Sequence, residues 1–153
     1  MVSDGIEPTR ATRKLEWDSA HRVLRHESKC ATLHGHRYVA EVTCEALELD
    51  DCGRVADFGV IKQKVGAWID EFWDHTTLVN EQDSALLTWC RHQEESKGNR
   101  APYVFKGEPT AENIAAELFA VAKDLLATDR VRLVHVRVYE TPNCWCDVGV
   151  LRG

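Results

Sequence analysis

The chain has 153 residues, of which 44% are hydrophobic, and this is enough for one domain with a sizeable core. Its 19 basic against 25 acidic residues give a net charge of −6, and no basic block stands out, which excludes a general nucleic-acid-binding protein. No apolar run approaches a membrane span and no signal peptide is evident, so we expect a cytoplasmic protein with reduced cysteines and no membrane partner.

A β-hairpin is predicted near the start of the chain. We expect residues 1–10 to form a flexible tail and 11–153 a single domain, with the hairpin over about 11–48. Alternate residues of a strand share a face, so each arm places its histidines on its more apolar side. That side holds Leu15, Trp17, Ser19 and His21 on the first arm, and His34, His36, Tyr38, Ala40, Val42 and Cys44 on the second. Three imidazoles are therefore expected to converge on one point.

The expected cluster of His21, His34 and His36 is typical of a catalytic zinc site. Three neutral imidazoles without a fourth protein ligand leave one position open for water or substrate. Two alternatives remain, namely packed histidines without metal and a closed structural site in which Cys30 is the fourth ligand. We favour the open site, because a closed one gives no task to the acidic and histidine residues further along the chain.

A helix is predicted after the hairpin. Asp57 is expected to cap it, and its apolar positions follow a 3.6-residue period until about Trp73. Asp74 and His75 follow directly. By themselves they fit a helix C-terminus, where a histidine cation suits the helix dipole.

The second half of the chain contains one segment with few structural signals, followed by a clearly predicted helix. Between 76 and 105 we expect only a short helix at 84–91 and a short strand at 103–105. A second main helix begins with Thr110 as its N-cap, and Glu112 is interpreted as a first-turn acid that complements the helix dipole.

The last predicted strand covers 131–140. One of its faces carries Val134, Val136, Val138 and Glu140, so a carboxylate ends an otherwise apolar face. The order of elements predicts an α+β sheet with helices on one face.

Six short stretches together resemble one known family. They are residues 17–22 (WDSAHR), 30–36 (CATLHGH), 55–58 (VADF), 74–75 (DH), 109–113 (PTAEN) and 140–142 (ETP). The chain resembles the 6-pyruvoyl-tetrahydropterin synthase family, and its branch of 6-carboxy-tetrahydropterin synthases most. The short spacing between Cys30 and the His-Gly-His motif favours that branch.

The resemblance implies a tunnelling fold, with a four-stranded antiparallel sheet and two helices on one face of it. In that fold the sheets of several subunits join into an oligomeric barrel. A homohexamer built as a dimer of trimers, with its sites at subunit interfaces, is the implied assembly.

The resemblance also assigns roles to individual residues. It makes His21, His34 and His36 the zinc ligands, Cys30 the catalytic base, Asp74 and His75 its relay partners, and Glu140 the pterin anchor that is also counted in the relay. Thr110 is expected to line the pterin pocket. Because Glu140 is assigned to the pterin edge, we expect it to lie apart from the histidines.

The implied activity is zinc-dependent conversion of 7,8-dihydroneopterin triphosphate to 6-carboxy-5,6,7,8-tetrahydropterin, with release of acetaldehyde and triphosphate. Such an enzyme belongs to queuosine biosynthesis. The pyruvoyl-forming and the side-chain aldolase activities use the same residues and stay open. Two other classes are a metal-dependent hydrolase, which does not need Cys30, and a non-catalytic zinc-stabilised assembly module, which needs neither Cys30, His75 nor Glu140.

Overall fold

The computed structural model describes residues 5–149. Its strands are β1 (Thr9–His21), β2 (His34–Ala46), β3 (Thr76–Asn80), β4 (Tyr103–Phe105), β5 (Arg132–Thr141) and β6 (Cys144–Gly149). Its helices are α1 (Phe58–Ile61), α2 (Ala67–Phe72), α3 (Ser84–Lys97) and α4 (Ala111–Leu126), and a π-helical turn at Lys62–Gly66 joins α1 to α2. None of these helices is long and apolar enough to traverse a bilayer. Because β1 begins at Thr9, the last two residues of the expected tail belong to a strand, and residues 1–4 lie outside the described part.

The strands form one sheet in the order β4-β3-β1-β2-β5-β6. The pairs β1-β2, β2-β5 and β5-β6 are antiparallel, whereas β3 runs parallel to both of its neighbours, β1 and β4. The expected four-stranded antiparallel sheet is therefore wrong in its count and only partly right in its direction. The sequence does not predict β3 or β6. Strand β3 is mostly buried and follows a helix almost directly, and β6 is an edge strand with little apolar alternation.

The hairpin of β1 and β2 has the expected faces. Thr9 pairs with Ala46 at one end and His21 with His34 at the other, without a break in register. The expected apolar side forms the core: Trp17, Tyr38, Ala40, Val42 and Cys44 are all fully buried. Trp17 stacks on Tyr38 with ring centroids 5.2 Å apart, directly beneath the histidines. The parity argument is confirmed for the core.

Two helices, α4 and the continuous α1–α2 helix, cover that side of the sheet. Helix α4 buries Ile114, Leu118 and Ala122 against it, and Ile61, Val65 and Ile69 do the same from the continuous α1–α2 helix. Each helix starts where the sequence predicts, because the Asp57 carboxylate accepts the Gly59 N–H and the Thr110 hydroxyl accepts the Asn113 N–H.

Helix α3 is longer than expected and lies elsewhere. It ends at Lys97, before Gly98 in a left-handed conformation (φ 66°), rather than near residue 91. It packs Leu86, Leu87 and Cys90 on Val79, whereas Leu78 belongs to the main core. Since successive residues of β3 face opposite sides, α3 covers the face of β3 away from the two main helices.

A β-bulge shifts the inner face of β5. Thr43 pairs with His135 but Cys44 with Leu133, so Val134 is an extra residue. Leu133 consequently enters the core and Val134 is only half-buried. The expected apolar face is correct from Val136 onward and wrong at Val134.

Candidate active site

The three histidines meet at the end of the hairpin where the loop of residues 22–33 joins β1 to β2, on the helix-covered side. His21 and His34 are cross-strand partners, and His36 lies two residues further along β2 on the same face. Their ring centroids lie 4.7 to 5.1 Å apart. One ring nitrogen from each can be chosen so that all three lie within 4.8 Å of one another, as ligands of one metal ion do. The expected convergence is confirmed.

Backbone carbonyls orient two of the rings. The Nδ1 atom of His21 lies 2.7 Å from the carbonyl oxygen of Pro109, and that of His34 lies 2.6 Å from the carbonyl oxygen of Thr32. A carbonyl can only accept, so each Nδ1 carries a proton, and in the neutral imidazole the Nε2 then keeps its lone pair. This is the arrangement that outer-shell carbonyls impose on metal-binding histidines.

The residues present fit a divalent metal. The Nε2 atoms of His21 and His36 are buried and have no hydrogen-bond partner among residues 5–149. Buried polar atoms without a partner are costly, and a metal ion would satisfy both. Burial also lowers the pKa of His21 and His36, which favours the neutral, ligating form. Nitrogen donors with an open position are the set that zinc takes in catalytic sites.

Glu140 lies beside the histidines rather than apart from them. Its carboxylate oxygens lie 3.4 Å from the His36 Nε2 and 4.0 Å from the His21 Nε2. The cause is register: Tyr139 pairs with Val39, so Glu140 extends one residue further toward His36, on the face of the buried Tyr38. The expected separation of Glu140 from the three histidines is therefore wrong.

A cavity of about 370 Å³ opens next to this cluster. Its lining includes His21, Cys30, Thr110, Glu112, Glu140, Trp145 and Cys146. Cys30 is half-buried and follows Lys29 in a short 3₁₀ turn of the loop between β1 and β2. The structure thus places a thiol, the expected pocket residue Thr110 and a carboxylate around one space next to the expected metal site.

Two parts of the cavity wall escaped the sequence analysis. Glu112 was assigned to the helix dipole, yet it also lines the cavity and contacts Cys146. Burial and the neighbouring Glu112 raise the pKa of the Cys146 thiol to about 11, so this thiol stays protonated. The signal for Glu112 was its position two residues after Thr110, itself expected in the pocket. Cys146 and Trp145 belong to the missed strand β6.

Asp74 and His75 form a pair at a different place. The His75 Nδ1 lies 3.0 Å from an Asp74 carboxylate oxygen, and the imidazole is 72% exposed. His75 has a left-handed backbone (φ 56°), held by a hydrogen bond from its N–H to the Asp18 carbonyl of 2.7 Å. Although burial raises it, hydrogen bonds from the Asp18 amide and from His75 hold the pKa of Asp74 below its ordinary value.

Within this chain the pair does not join Cys30. The cavity beside the histidines is lined by Cys30 but by neither Asp74 nor His75, and His75 lines a different depression, together with Asp18, His36 and Thr76. The three residues that the sequence analysis grouped as base and relay therefore lie in two places of a single chain.

Several solved structures share this fold. An uncharacterized protein of Wolinella succinogenes superposes with a TM-score of 0.78 at 22% identity, covering 94% of this chain and 98% of the other. The 6-pyruvoyl tetrahydropterin synthase of Caenorhabditis elegans gives a TM-score of 0.68 at 22% identity, covering 95% and 97%. The expected tunnelling fold is thereby confirmed.

Sequence comparison gives the family. The model of the 6-pyruvoyl tetrahydropterin synthase family matches residues 10–149. A protein of Rickettsia bellii named 6-carboxy-5,6,7,8-tetrahydropterin synthase is 37% identical over 140 residues, covering 91% of this chain and 99% of the relative. A protein of the same name from Haemophilus influenzae is 28% identical over 143 residues, covering 89% and 95%. The chain belongs to the 6-pyruvoyl tetrahydropterin synthase family, as the resemblance implied.

Proposed function

We propose that the protein is a zinc-dependent enzyme that converts 7,8-dihydroneopterin triphosphate and water to 6-carboxy-5,6,7,8-tetrahydropterin, acetaldehyde and triphosphate. The observation that carries this proposal is the pair of buried Nε2 atoms on His21 and His36 that lack a hydrogen-bond partner among the described residues, beside a cavity that His21 lines together with Cys30 and Glu140. The names of the curated relatives support the carboxy product over the pyruvoyl one.

His21, His34 and His36 are the proposed ligands of the metal. Bound there, zinc supplies a Lewis acid for the side-chain hydroxyls of the pterin and so makes the neighbouring C–H bonds more acidic. The protein's own part is to hold the imidazoles neutral and aimed, through burial and through the carbonyls of Pro109 and Thr32.

Cys30 is the proposed base that removes protons from the side-chain carbons. A thiol becomes an effective base when an imidazolium stabilises its thiolate. In this proposal His75 supplies the imidazole and Asp74 orients it, at the 3.0 Å distance between the two side chains. The left-handed backbone of His75 supports a functional assignment, because such strain in a residue other than glycine is concentrated at active sites.

The pterin ring is proposed to bind between Thr110, Glu112 and Glu140, which line one cavity. The paired N–H donors of its 2-amino-4-oxo edge match the two oxygens of a carboxylate. Glu140 is the proposed anchor of that edge. Because its carboxylate also lies 3.4 Å from the His36 Nε2, it is placed to contact both the substrate and the metal's surroundings.

A homo-oligomer, with a homohexamer as the specific proposal, completes the site. Strand β3 pairs only with Ser19–His21 of β1, so the outer edge of residues 9–18 has no partner strand within residues 5–149. The outer edge of β6 is likewise unpaired in the described chain. Sheets avoid leaving such edges exposed, and joining them between copies would extend the sheet into a barrel. The same contact would bring Asp74 and His75 of one subunit to the Cys30 of another.

The test is to incubate the zinc-loaded protein with 7,8-dihydroneopterin triphosphate and to identify the products by mass. Acetaldehyde with a carboxylated tetrahydropterin supports the proposal. A pyruvoyl product without loss of carbon, or a hydroxymethylpterin from aldol cleavage, would assign the other activities that these residues serve. A zinc-loaded oligomer that leaves the substrate unchanged would reject the enzyme and favour an assembly module. Metal-stripped protein is the control.

A further inference from the structure

The loop of residues 22–31, which carries Cys30, is a compact unit with internal hydrogen bonds. The Val23 N–H donates to the Cys30 carbonyl at 2.9 Å, and the His26 N–H donates to the Val23 carbonyl at 3.0 Å. The Ser28 N–H donates to the His26 Nδ1 at 3.0 Å. Because Cys30 is tied to Val23 in this way, a shift of the loop's first half also moves the thiol.

One side chain fastens the backbone of this loop to the start of helix α4. The two oxygens of the Glu108 carboxylate accept the N–H groups of Leu24 at 2.8 Å and Arg25 at 3.1 Å. Hydrogen bonds to a carboxylate are about twice as strong as neutral ones. Among residues 5–149, side chains of the loop also attach it: Arg22 forms a two-point ion pair with the buried Asp83, and Arg25 donates to Gln82.

Glu108 is itself held in place. Its carbonyl accepts hydrogen bonds from the Thr110 N–H and from the Asn113 side-chain amide, both at 2.8 Å. The next residue, Pro109, is the one whose carbonyl orients His21. Two consecutive residues thus connect both the thiol loop and a proposed metal ligand to one helix terminus.

We propose that Glu108 is a positioning residue, which sets where the Cys30 thiol lies relative to the three histidines. The inference deepens the proposed function, since it concerns the residue proposed there as the base. Its physical reason is geometric. A misplacement of about 1 Å between reacting groups can lower a rate by about 10²-fold, and the loop has no other backbone hydrogen bond to a side chain outside it among the described residues.

The experiment compares Glu108→Ala and Glu108→Gln with Asp124→Ala, which removes an exposed carboxylate elsewhere on α4. The first readout needs no turnover: hydrogen exchange of residues 22–31 and alkylation of Cys30 by iodoacetamide, located by peptide mass. In Glu108→Ala we expect the Leu24 and Arg25 amides to exchange about 10- to 100-fold faster, and Cys30 to be alkylated several-fold faster. Glu108→Gln has one acceptor oxygen and should be intermediate. Zinc content should match that of Asp124→Ala.

The second readout separates binding from chemistry. We expect kcat of Glu108→Ala to fall about 10- to 100-fold with KM within about threefold, because the base is misplaced and the pterin contacts remain. Unchanged loop exchange in Glu108→Ala, or a loosened loop with full kcat, would overturn the inference. If Glu108→Ala does not fold, the equally large Gln variant decides by the same readouts. If the wild-type protein has no pterin activity, the proposed function fails, while the exchange and alkylation rates still judge Glu108.

Discussion

The histidine cluster and the Asp74–His75 pair are two halves of the proposed site, and they are built in opposite ways. The cluster is local: adjacent strands supply it, its first ring is only 1% exposed, and fixed carbonyls orient it. The Asp74–His75 pair lies at the surface: the His75 imidazole is 72% exposed, and its backbone has a left-handed conformation. In the proposed site a single chain would therefore supply all three metal ligands, whereas its proposed relay faces outward, as a site shared between subunits requires.

The largest effect is expected from removing one of the three proposed metal ligands. His34→Ala should lose zinc, and turnover should fall by about 10³-fold or more, because metal assistance is worth several kcal/mol. Metal analysis per chain, together with circular dichroism, measures this. His92→Ala, which removes an exposed histidine from α3, should keep its zinc. Full zinc occupancy in His34→Ala would refute the ligand assignment.

Cys30→Ala tests whether the thiol belongs to the metal or to the chemistry. We expect turnover to fall by about 10²- to 10⁴-fold, the usual contribution of a positioned general base, with zinc and fold retained. Cys52→Ala removes an exposed thiol and should behave as wild type. Loss of zinc from Cys30→Ala would instead make the thiol a fourth ligand and close the site.

A smaller effect is expected at Glu140. Glu140→Ala leaves the donors of the pterin edge without an acceptor, which costs about 1.5–3 kcal/mol, or roughly 10- to 150-fold in affinity. Zinc should stay bound because all three imidazoles remain, although the carboxylate lies only 3.4 Å from one of them. Calorimetric titration with a pterin and metal analysis of the same sample measure both. Wild-type pterin affinity in this variant would remove Glu140 from the recognition site.

The smallest expected effect is a partial recovery of activity in mixed oligomers, and it tests most directly whether the two parts of the proposed site come from different chains. Cys30→Ala and His75→Ala are each expected to be nearly inactive, but oligomers assembled from an equal mixture should regain about a quarter of the wild-type sites if each site takes one residue from each of two chains. Mixed oligomers purified through two different tags, assayed against each parent, provide the measurement. No regain of activity would place both residues in a site formed by one chain.

The sequence predicts the parts that depend on local pairing. Strand alternation placed His21, His34 and His36 together, because both arms belong to one hairpin and no distant contact was needed. It failed where tertiary register decides: Glu140 reaches His36 only through the pairing of β5 with β2, and the bulge that displaces Val134 has no local signature. The sequence could not predict that Asp74 and His75 lie away from Cys30. Their separation depends on the directions in which two different surfaces of the folded chain face.

With its proposed relay role, His75 is a position where folding and catalysis favour different amino acids. A left-handed conformation at a residue with a Cβ atom costs about 1 kcal/mol relative to glycine, so stability alone would favour glycine or asparagine. A library selected only for thermal resistance should accordingly replace this histidine early, and the survivors would be robust proteins without a relay. The same position would then report, in any set of natural or evolved sequences, whether turnover had been under selection.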